Sequence, residues 1–196
     1  MKTLALLLAG LLAVPGLAAA AEGHETLPAA EAATADESIY LIGGDYESHD
    51  GKKVSLEILR GKPVLISMFY GTCPHACPML ITDLKRVEQA LPEALREKVQ
   101  VVLVTFDPAR DTPASMKVLL EAHRVDTGRW TMMRTAPEKV QELAAVLGIK
   151  YRFAAGGAIN HSTVITLLDA EGRIVERLEG LRQPEGPLVE KLTAMK

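Results

Sequence analysis

Residues 63–78 decide the fold of this chain, and they read Pro63-Val64-Leu65-Ile66-Ser67-Met68-Phe69-Tyr70-Gly71-Thr72-Cys73-Pro74-His75-Ala76-Cys77-Pro78. The apolar run that ends at Tyr70 is typical of a buried strand. An amphipathic stretch comes next, and Pro78 suits the first position of a helix, where the missing N–H of proline costs nothing. The two cysteines, which are the only ones in the sequence, are therefore predicted on a turn between a strand and a helix.

Strand and helix patterns alternate around this turn. Upstream, Asp50-Gly51 between apolar residues predicts a β-hairpin, and residues 56–60 predict a single helical turn. Downstream, apolar residues at helical spacing predict helices over residues 78–91, 112–123, 137–147 and 184–194. Apolar runs predict strands over residues 99–106, 130–133, 162–168 and 173–178, the last two joined by a turn at 169–172.

This order of elements predicts an α/β fold. Strands that alternate with helices pair in parallel, and the closing hairpin adds antiparallel strands. We expect one domain, residues 38–196, with a mixed central sheet flanked by helices and an N-terminal β-hairpin. A cysteine pair between the first core strand and its helix is the arrangement of thioredoxin, so the predicted fold is thioredoxin-like.

The N-terminal residues predict export to the periplasm. Lys2, an apolar run over residues 3–14 and the small residues Ala18-Ala19-Ala20 form the pattern of a signal peptide, predicted as residues 1–20. If this segment is not cleaved, it would hold the protein at the membrane, although so short a run spans a bilayer poorly. Residues 21–37 are acidic and alanine-rich, which predicts a disordered linker.

Charge and size narrow the classes of function. The chain carries 22 Lys and Arg residues against 25 Asp and Glu residues, a net charge of −3, and it has no basic stripe, which argues against nucleic acid as a partner. A domain of this size buries a sufficient hydrophobic core without disulfide bonds. The cysteine pair is therefore available for chemistry, with a purely structural disulfide as the alternative.

Two kinds of chemistry suit the cysteine pair. Cys77 is predicted at the helix N-cap with Cys73 one turn earlier, and the partial positive charge of a helix N-terminus favours thiolates. Spacing of i, i+4 brings the Cα atoms to about 6 Å, within disulfide range. The pair can close as a Cys73–Cys77 disulfide and cycle in redox reactions, or it can hold a soft metal ion.

A metal site would need a further ligand, and His161 is the candidate among the five histidines. It comes after a glycine-bearing loop, residues 154–160, and precedes a buried strand. In a thioredoxin-like sheet this loop lies beside the cysteine turn. Two sulfurs and one imidazole suit copper in both of its common oxidation states. The alternative is a loop histidine that is merely solvated or hydrogen-bonded.

Three ordered motifs resemble the Sco/SenC family of copper-handling proteins of respiratory membranes. They are the Cys-Pro-x-x-Cys-Pro segment with its preceding aromatics, the Asp-Pro-x-Arg-Asp-Thr-Pro segment, and a His-Ser strand with an Asp-x-x-Gly turn after it, at residues 69–78, 107–113, 161–162 and 169–172. The resemblance implies copper as the bound metal and Cys73, Cys77 and His161 as its ligands. It departs at His75, where the family usually has Asp, and this imidazole could coordinate metal, lower a thiol pKa or simply be exposed.

The resemblance also implies a role and partners. The role is assembly of the dinuclear copper centre of cytochrome c oxidase, by a metallochaperone rather than an enzyme. The partners would be a copper ion and either the copper-centre subunit of the oxidase or another periplasmic copper chaperone. The alternative is a thiol–disulfide oxidoreductase in which Cys73 and Cys77 form the redox-active pair; a peroxidase or redox sensor is weaker. For Arg110 and Asp111 we favour a structural role over partner recognition.

Overall fold

The computed structural model describes residues 37–73 and 75–195. The predicted signal peptide and residues 21–36 of the predicted linker lie outside the described residues, so these assignments and the domain boundary remain predictions. Within the described ranges, no helix is both long enough and apolar enough to cross a membrane.

The main sheet has seven strands. Their bounds are β1 (Tyr46–Ser48), β2 (Lys53–Val54), β3 (Val64–Phe69), β4 (Gln100–Thr105), β5 (Trp130–Thr135), β8 (Val164–Leu168) and β9 (Ile174–Glu179). Their order across the sheet is β2-β1-β5-β4-β3-β8-β9. The central strands β3, β4 and β5 pair in parallel, whereas β1–β2, β1–β5, β3–β8 and β8–β9 are antiparallel. The predicted α/β fold, with its mixed sheet and N-terminal hairpin, is confirmed.

The described helices alternate with the strands in the predicted order, α5 follows the last strand, and a short extra helix comes after the first. They are α1 (Ala76–Ala90), α2 (Glu93–Arg96), α3 (Pro113–Ala122), α4 (Pro137–Leu147) and α5 (Gly186–Ala194). Thr112 caps α3 by accepting a hydrogen bond of 3.2 Å from the Ser115 N–H. Gly148 ends α4 in the left-handed conformation, with φ at 74°, which glycine adopts without steric cost.

Strand β3 occupies the centre of the core and positions the cysteine turn at its C-terminal end. All six of its residues are buried, because β4 flanks it on one side and β8 on the other, with helices on its faces. Phe69 pairs with Thr105, so β3 and β4 end side by side. The turn that carries the cysteines therefore leaves the sheet from its fully buried centre.

Two local expectations were wrong. Helix α1 begins at Ala76 with His75 as its N-cap, so Cys77 lies inside the first turn rather than at the cap. Pro78 is tolerated at the third helical position, because that N–H has no intrahelical partner. The predicted loop 154–160 contains strand residues, since β6 (Tyr151–Phe153) and β7 (Ile159–His161) form a separate two-stranded hairpin.

Candidate metal centre

Cys77 is the buried member of the cysteine pair, with only 3% of its surface exposed. Its thiol donates a hydrogen bond to the carbonyl oxygen of Tyr70 at 3.3 Å, and its sulfur accepts one from the N–H of the same residue at 3.5 Å. Burial raises the pKa of the Cys77 thiol well above its ordinary value. Burial therefore favours the protonated form of this thiol.

Cys73 is the accessible member, half-buried on the turn before α1. Burial by itself would raise the pKa of its thiol, but hydrogen bonds from the backbone N–H groups of Cys77 and His75 and from the Tyr70 hydroxyl lower it below its ordinary value. These donors stabilise the thiolate directly. The two cysteines therefore differ in the direction of their pKa shifts as well as in exposure.

His161 lies at the end of β7, opposite Tyr151. Its ring packs against Phe106 with a centroid distance of 4.9 Å, and Tyr70 meets it edge-on at 5.8 Å. The Nδ1 atom is 3.0 Å from the Ser162 carbonyl oxygen. A carbonyl oxygen can only accept, so Nδ1 carries the proton and Nε2 keeps its lone pair for a ligand, as in many metal-binding histidines.

The fold brings these three predicted residues together. One ligand atom from each of Cys73, Cys77 and His161 lies within 4.8 Å of the others. Both cysteines are free thiols in this structure, and the disulfide between them remains a prediction. His75 is exposed and contributes its backbone N–H to Cys73, but its side chain is not part of this group.

Asp111 anchors the backbone of the cysteine turn through hydrogen bonds. Its buried carboxylate accepts hydrogen bonds from the Gly71 N–H, at 3.0 and 3.1 Å to its two oxygens, and from the hydroxyl of Thr105. A Cβ added at Gly71 would stand 2.5 Å from an Asp111 oxygen, so only glycine fits there. The structure thereby fixes the backbone two residues before Cys73.

Arg110 connects the same segment to the histidine hairpin. Its guanidinium donates to the carboxylate of Asp107, with which it forms an ion pair, and to the carbonyl oxygen of Gly157 at 2.7 Å. Gly157 has a φ of 79° and lies too close to Arg110 for a larger residue to fit without displacement. These contacts account for the structural role predicted for Arg110 and Asp111.

Sequence reasoning missed two residues of the site. Tyr70 contacts both cysteines and the His161 ring, and its hydroxyl also accepts a backbone hydrogen bond from Ile159. Phe106 provides the surface on which His161 and Tyr151 pack. Each aromatic comes directly after a core strand, which was the available signal, because side chains at the C-terminal ends of parallel strands converge on one edge of the sheet.

The arrangement offers two soft sulfurs and one imidazole nitrogen to a single ion. Thiolates select soft metals such as Cu(I), and imidazole also suits Cu(II). The same pair of thiols, one accessible and one buried, is also suited to disulfide exchange. Geometry by itself therefore allows both chemistries that the sequence predicted.

Comparison with known proteins identifies the family. Residues 35–196 match the sequence model of SCO1/SenC. A putative copper-binding protein of Stutzerimonas stutzeri is 30% identical over 139 residues, which are 66% of this chain and 67% of that protein. The copper-bound structure of Bradyrhizobium japonicum ScoI is 25% identical with a TM-score of 0.65 and coverage of 77% and 96% of the two chains.

A further structure supports the fold. A SCO1/SenC family lipoprotein of Bacillus anthracis superposes with a TM-score of 0.70 at 20% identity, covering 78% of this chain and 92% of the lipoprotein. The fold, the motifs and the Cys-Cys-His group agree with the match to the family. The chain belongs to the SCO1/SenC family.

Proposed function

We propose that this protein is a copper carrier that assists assembly of the dinuclear copper centre of cytochrome c oxidase in the periplasm. Cys73, Cys77 and His161 would hold the copper ion. The observation that carries the proposal is the convergence of these three ligand atoms within 4.8 Å of one another. The similarity to a ScoI structure with copper bound supports copper as the cargo.

The ligands suit an ion that must be taken up and handed on. Cys73 is accessible and its lowered pKa favours the thiolate form, which is the form that binds metal. Cys77 is buried with a raised pKa, so copper must displace its proton, and uptake of copper would release that proton. His161 completes the set with an imidazole whose Nδ1 is held by the Ser162 carbonyl, so that Nε2 faces a ligand.

A second function is favoured by the same difference between the thiols. An accessible thiolate attacks a disulfide, and a buried second thiol then resolves the mixed disulfide. Cys73 and Cys77 have those properties. A thiol–disulfide reductase that keeps partner cysteines reduced needs neither copper nor His161.

An anaerobic Cu(I) titration of the reduced protein against a chromophoric chelator tests the proposal. We expect one Cu(I) ion to bind tightly per protein molecule. His161→Ala should weaken the Cu(I) affinity by more than the roughly 10–100-fold that loss of an outer-shell partner costs. His123→Ala, at a histidine at the C-terminal end of α3, is the matched control and should bind as the wild type does.

Two results would overturn copper carriage. One is the absence of tight binding together with catalytic reduction of a disulfide peptide by the same preparation. The other is stoichiometric copper retained after Cys73 and Cys77 have been alkylated. Export is tested separately, by fractionation and N-terminal sequencing of the mature protein, with cleavage after Ala20 expected.

A further inference from the structure

The hairpin that carries His161 differs in charge from the rest of the chain. The chain has a net charge of −3, yet residues 143–168 contain no Asp or Glu and carry Lys150 and Arg152. Both side chains are exposed, and neither forms an ion pair within the part of the chain that the structure describes. Two cationic side chains without an ion-pair partner among the described residues therefore lie next to and on β6, the strand that pairs with the strand of His161.

These cations border an open groove beside His161. The groove has a volume of about 320 Å³ and is lined by Lys150, Tyr151, Arg152, Asn160 and His161. Arg152 pairs with Asn160 across the hairpin, and both are exposed. A ligand in this groove would contact the imidazole and both cations.

An exposed aromatic stands at the end of the same strand. Phe153 is 62% exposed, and its ring meets Tyr151 edge-on at 6.0 Å. Large aromatics at the surface are common anchors of protein–protein contacts. We use "hairpin face" for Lys150, Arg152, Phe153 and Asn160.

We propose that the hairpin face docks an acidic segment of the protein that exchanges metal with this site. Lys150 and Arg152 would pair with carboxylates of that segment, and Phe153 would contact an apolar residue of it. Opposite charges speed encounter and orient the partners. This inference rests on the proposed function for the identity of the partner, although the docking itself requires no bound copper.

The test uses the copper-free, isotope-labelled protein and a synthetic dithiol peptide flanked by glutamates, kept reduced. Addition of the peptide should shift the amide signals of residues 150–153 and 158–161, less strongly as salt is added. Lys150→Glu with Arg152→Glu should weaken binding about tenfold, the loss expected for two exposed ion pairs. A peptide of the same sequence flanked by lysines should bind weakly or not at all.

The matched control is Lys62→Glu with Lys98→Glu. These two lysines are exposed and precede β3 and β4, at the end of the sheet opposite the site, and they change the net charge equally. Equal loss of binding in both double variants, or equal binding of the lysine-flanked peptide, would overturn the docking surface. A failed Cu(I) titration with the hairpin shifts intact would instead remove copper carriage and leave the docking surface standing.

Discussion

The cysteine turn and the histidine hairpin bring ligands to the same point from different kinds of structure. The turn, residues 70–77, leaves the fully buried strand β3 and ends in a cysteine that is 3% exposed. The hairpin, residues 151–161, stands outside the main sheet and exposes two of the three residues of β6. Ring contacts with Phe106 and the Arg110 hydrogen bond to Gly157 hold it to the body.

If Cys73, Cys77 and His161 hold copper as proposed, this difference would make the site both selective and reversible. The Cys77 sulfur is buried in the core, where local opening costs nearly the full free energy of unfolding, and Cys73 lies on the turn that this core supports. The imidazole is held by a small element with few buried residues, and such elements open at low cost. Opening of the hairpin would withdraw His161 and leave both thiols in place for a partner's ligands.

The largest effect that separates the two regions is expected at Asp111. Asp111→Ala leaves the Gly71 N–H and the Thr105 hydroxyl without their buried acceptor. Each such loss costs about 1–3 kcal/mol, so the free energy of unfolding should fall by about 3 kcal/mol. Urea denaturation measures this directly.

Asp126→Ala is the control for that measurement. Asp126 also accepts from a backbone N–H, that of Gly128 at 2.9 Å, and pairs with an arginine, but it is exposed. The same change there should cost about 1 kcal/mol or less. If the two variants lose equal stability, the cysteine turn does not depend on the buried carboxylate of Asp111.

The second prediction concerns the two thiols within the turn. At pH 7 the lowered pKa of Cys73 increases its thiolate fraction, whereas the raised pKa of Cys77 keeps that thiol protonated. Since the thiolate is the nucleophile, iodoacetamide should modify Cys73 faster than Cys77. The Cys73 rate should rise with pH, with a midpoint below that of the same thiol in the unfolded protein.

Mass spectrometry of timed samples gives both rates. Guanidinium-unfolded protein is the reference, because the two thiols should then react alike. Equal rates in the folded protein would mean that burial does not protect Cys77. Such a result would also remove the support for its role as the resolving thiol.

The sequence predicted the cysteine turn well because its structure is local. A buried run, a turn and a helix start are read from neighbouring residues, and only the position of the cap was wrong, by two residues. Cys77 was placed at the N-cap, but His75 occupies it. His161 was a candidate from its place between a glycine-bearing loop and a buried strand, and the resemblance then supported it on motifs.

The hairpin and the supporting contacts were not predictable in the same way. Strands of three residues, Tyr151–Phe153 and Ile159–His161, are too short to show a period. The contacts of Asp111 with Gly71 and of Arg110 with Gly157 join residues 40 and 47 positions apart. Tertiary packing sets such pairs, and no local pattern encodes them.

A third prediction tests how much the Arg110 contacts contribute to the local stability of the hairpin. Arg110→Ala removes the hydrogen bond to the Gly157 carbonyl and the ion pair with Asp107. Because the guanidinium is partly exposed, the free energy of unfolding should change by about 1 kcal/mol or less. Amide hydrogen exchange in residues 151–161 should nevertheless accelerate, and the His161-dependent part of Cu(I) affinity should fall.

Arg134→Ala is the matched control for Arg110→Ala. Arg134 likewise donates to a carboxylate, that of Glu47, and to a backbone carbonyl, that of Pro108, but it lies on β5. Its loss should leave exchange in the hairpin unchanged. Faster exchange spread evenly over the whole domain in Arg110→Ala would contradict a role confined to the hairpin.

The smallest effect is expected where the two regions meet, at Tyr70. Tyr70→Phe removes the hydroxyl that donates to the Cys73 sulfur and accepts from the Ile159 N–H. Loss of that donor should raise the Cys73 pKa, moving the midpoint of its alkylation rate to higher pH. One hydrogen bond of this kind contributes about 1 kcal/mol, and hairpin exchange should accelerate by a similar free energy. Tyr151→Phe is the control. It keeps the Phe106 contact and should change neither the Cys73 alkylation midpoint nor the exchange rate of the hairpin. An equal change in both variants would mean that Tyr70 does not join the turn to the hairpin.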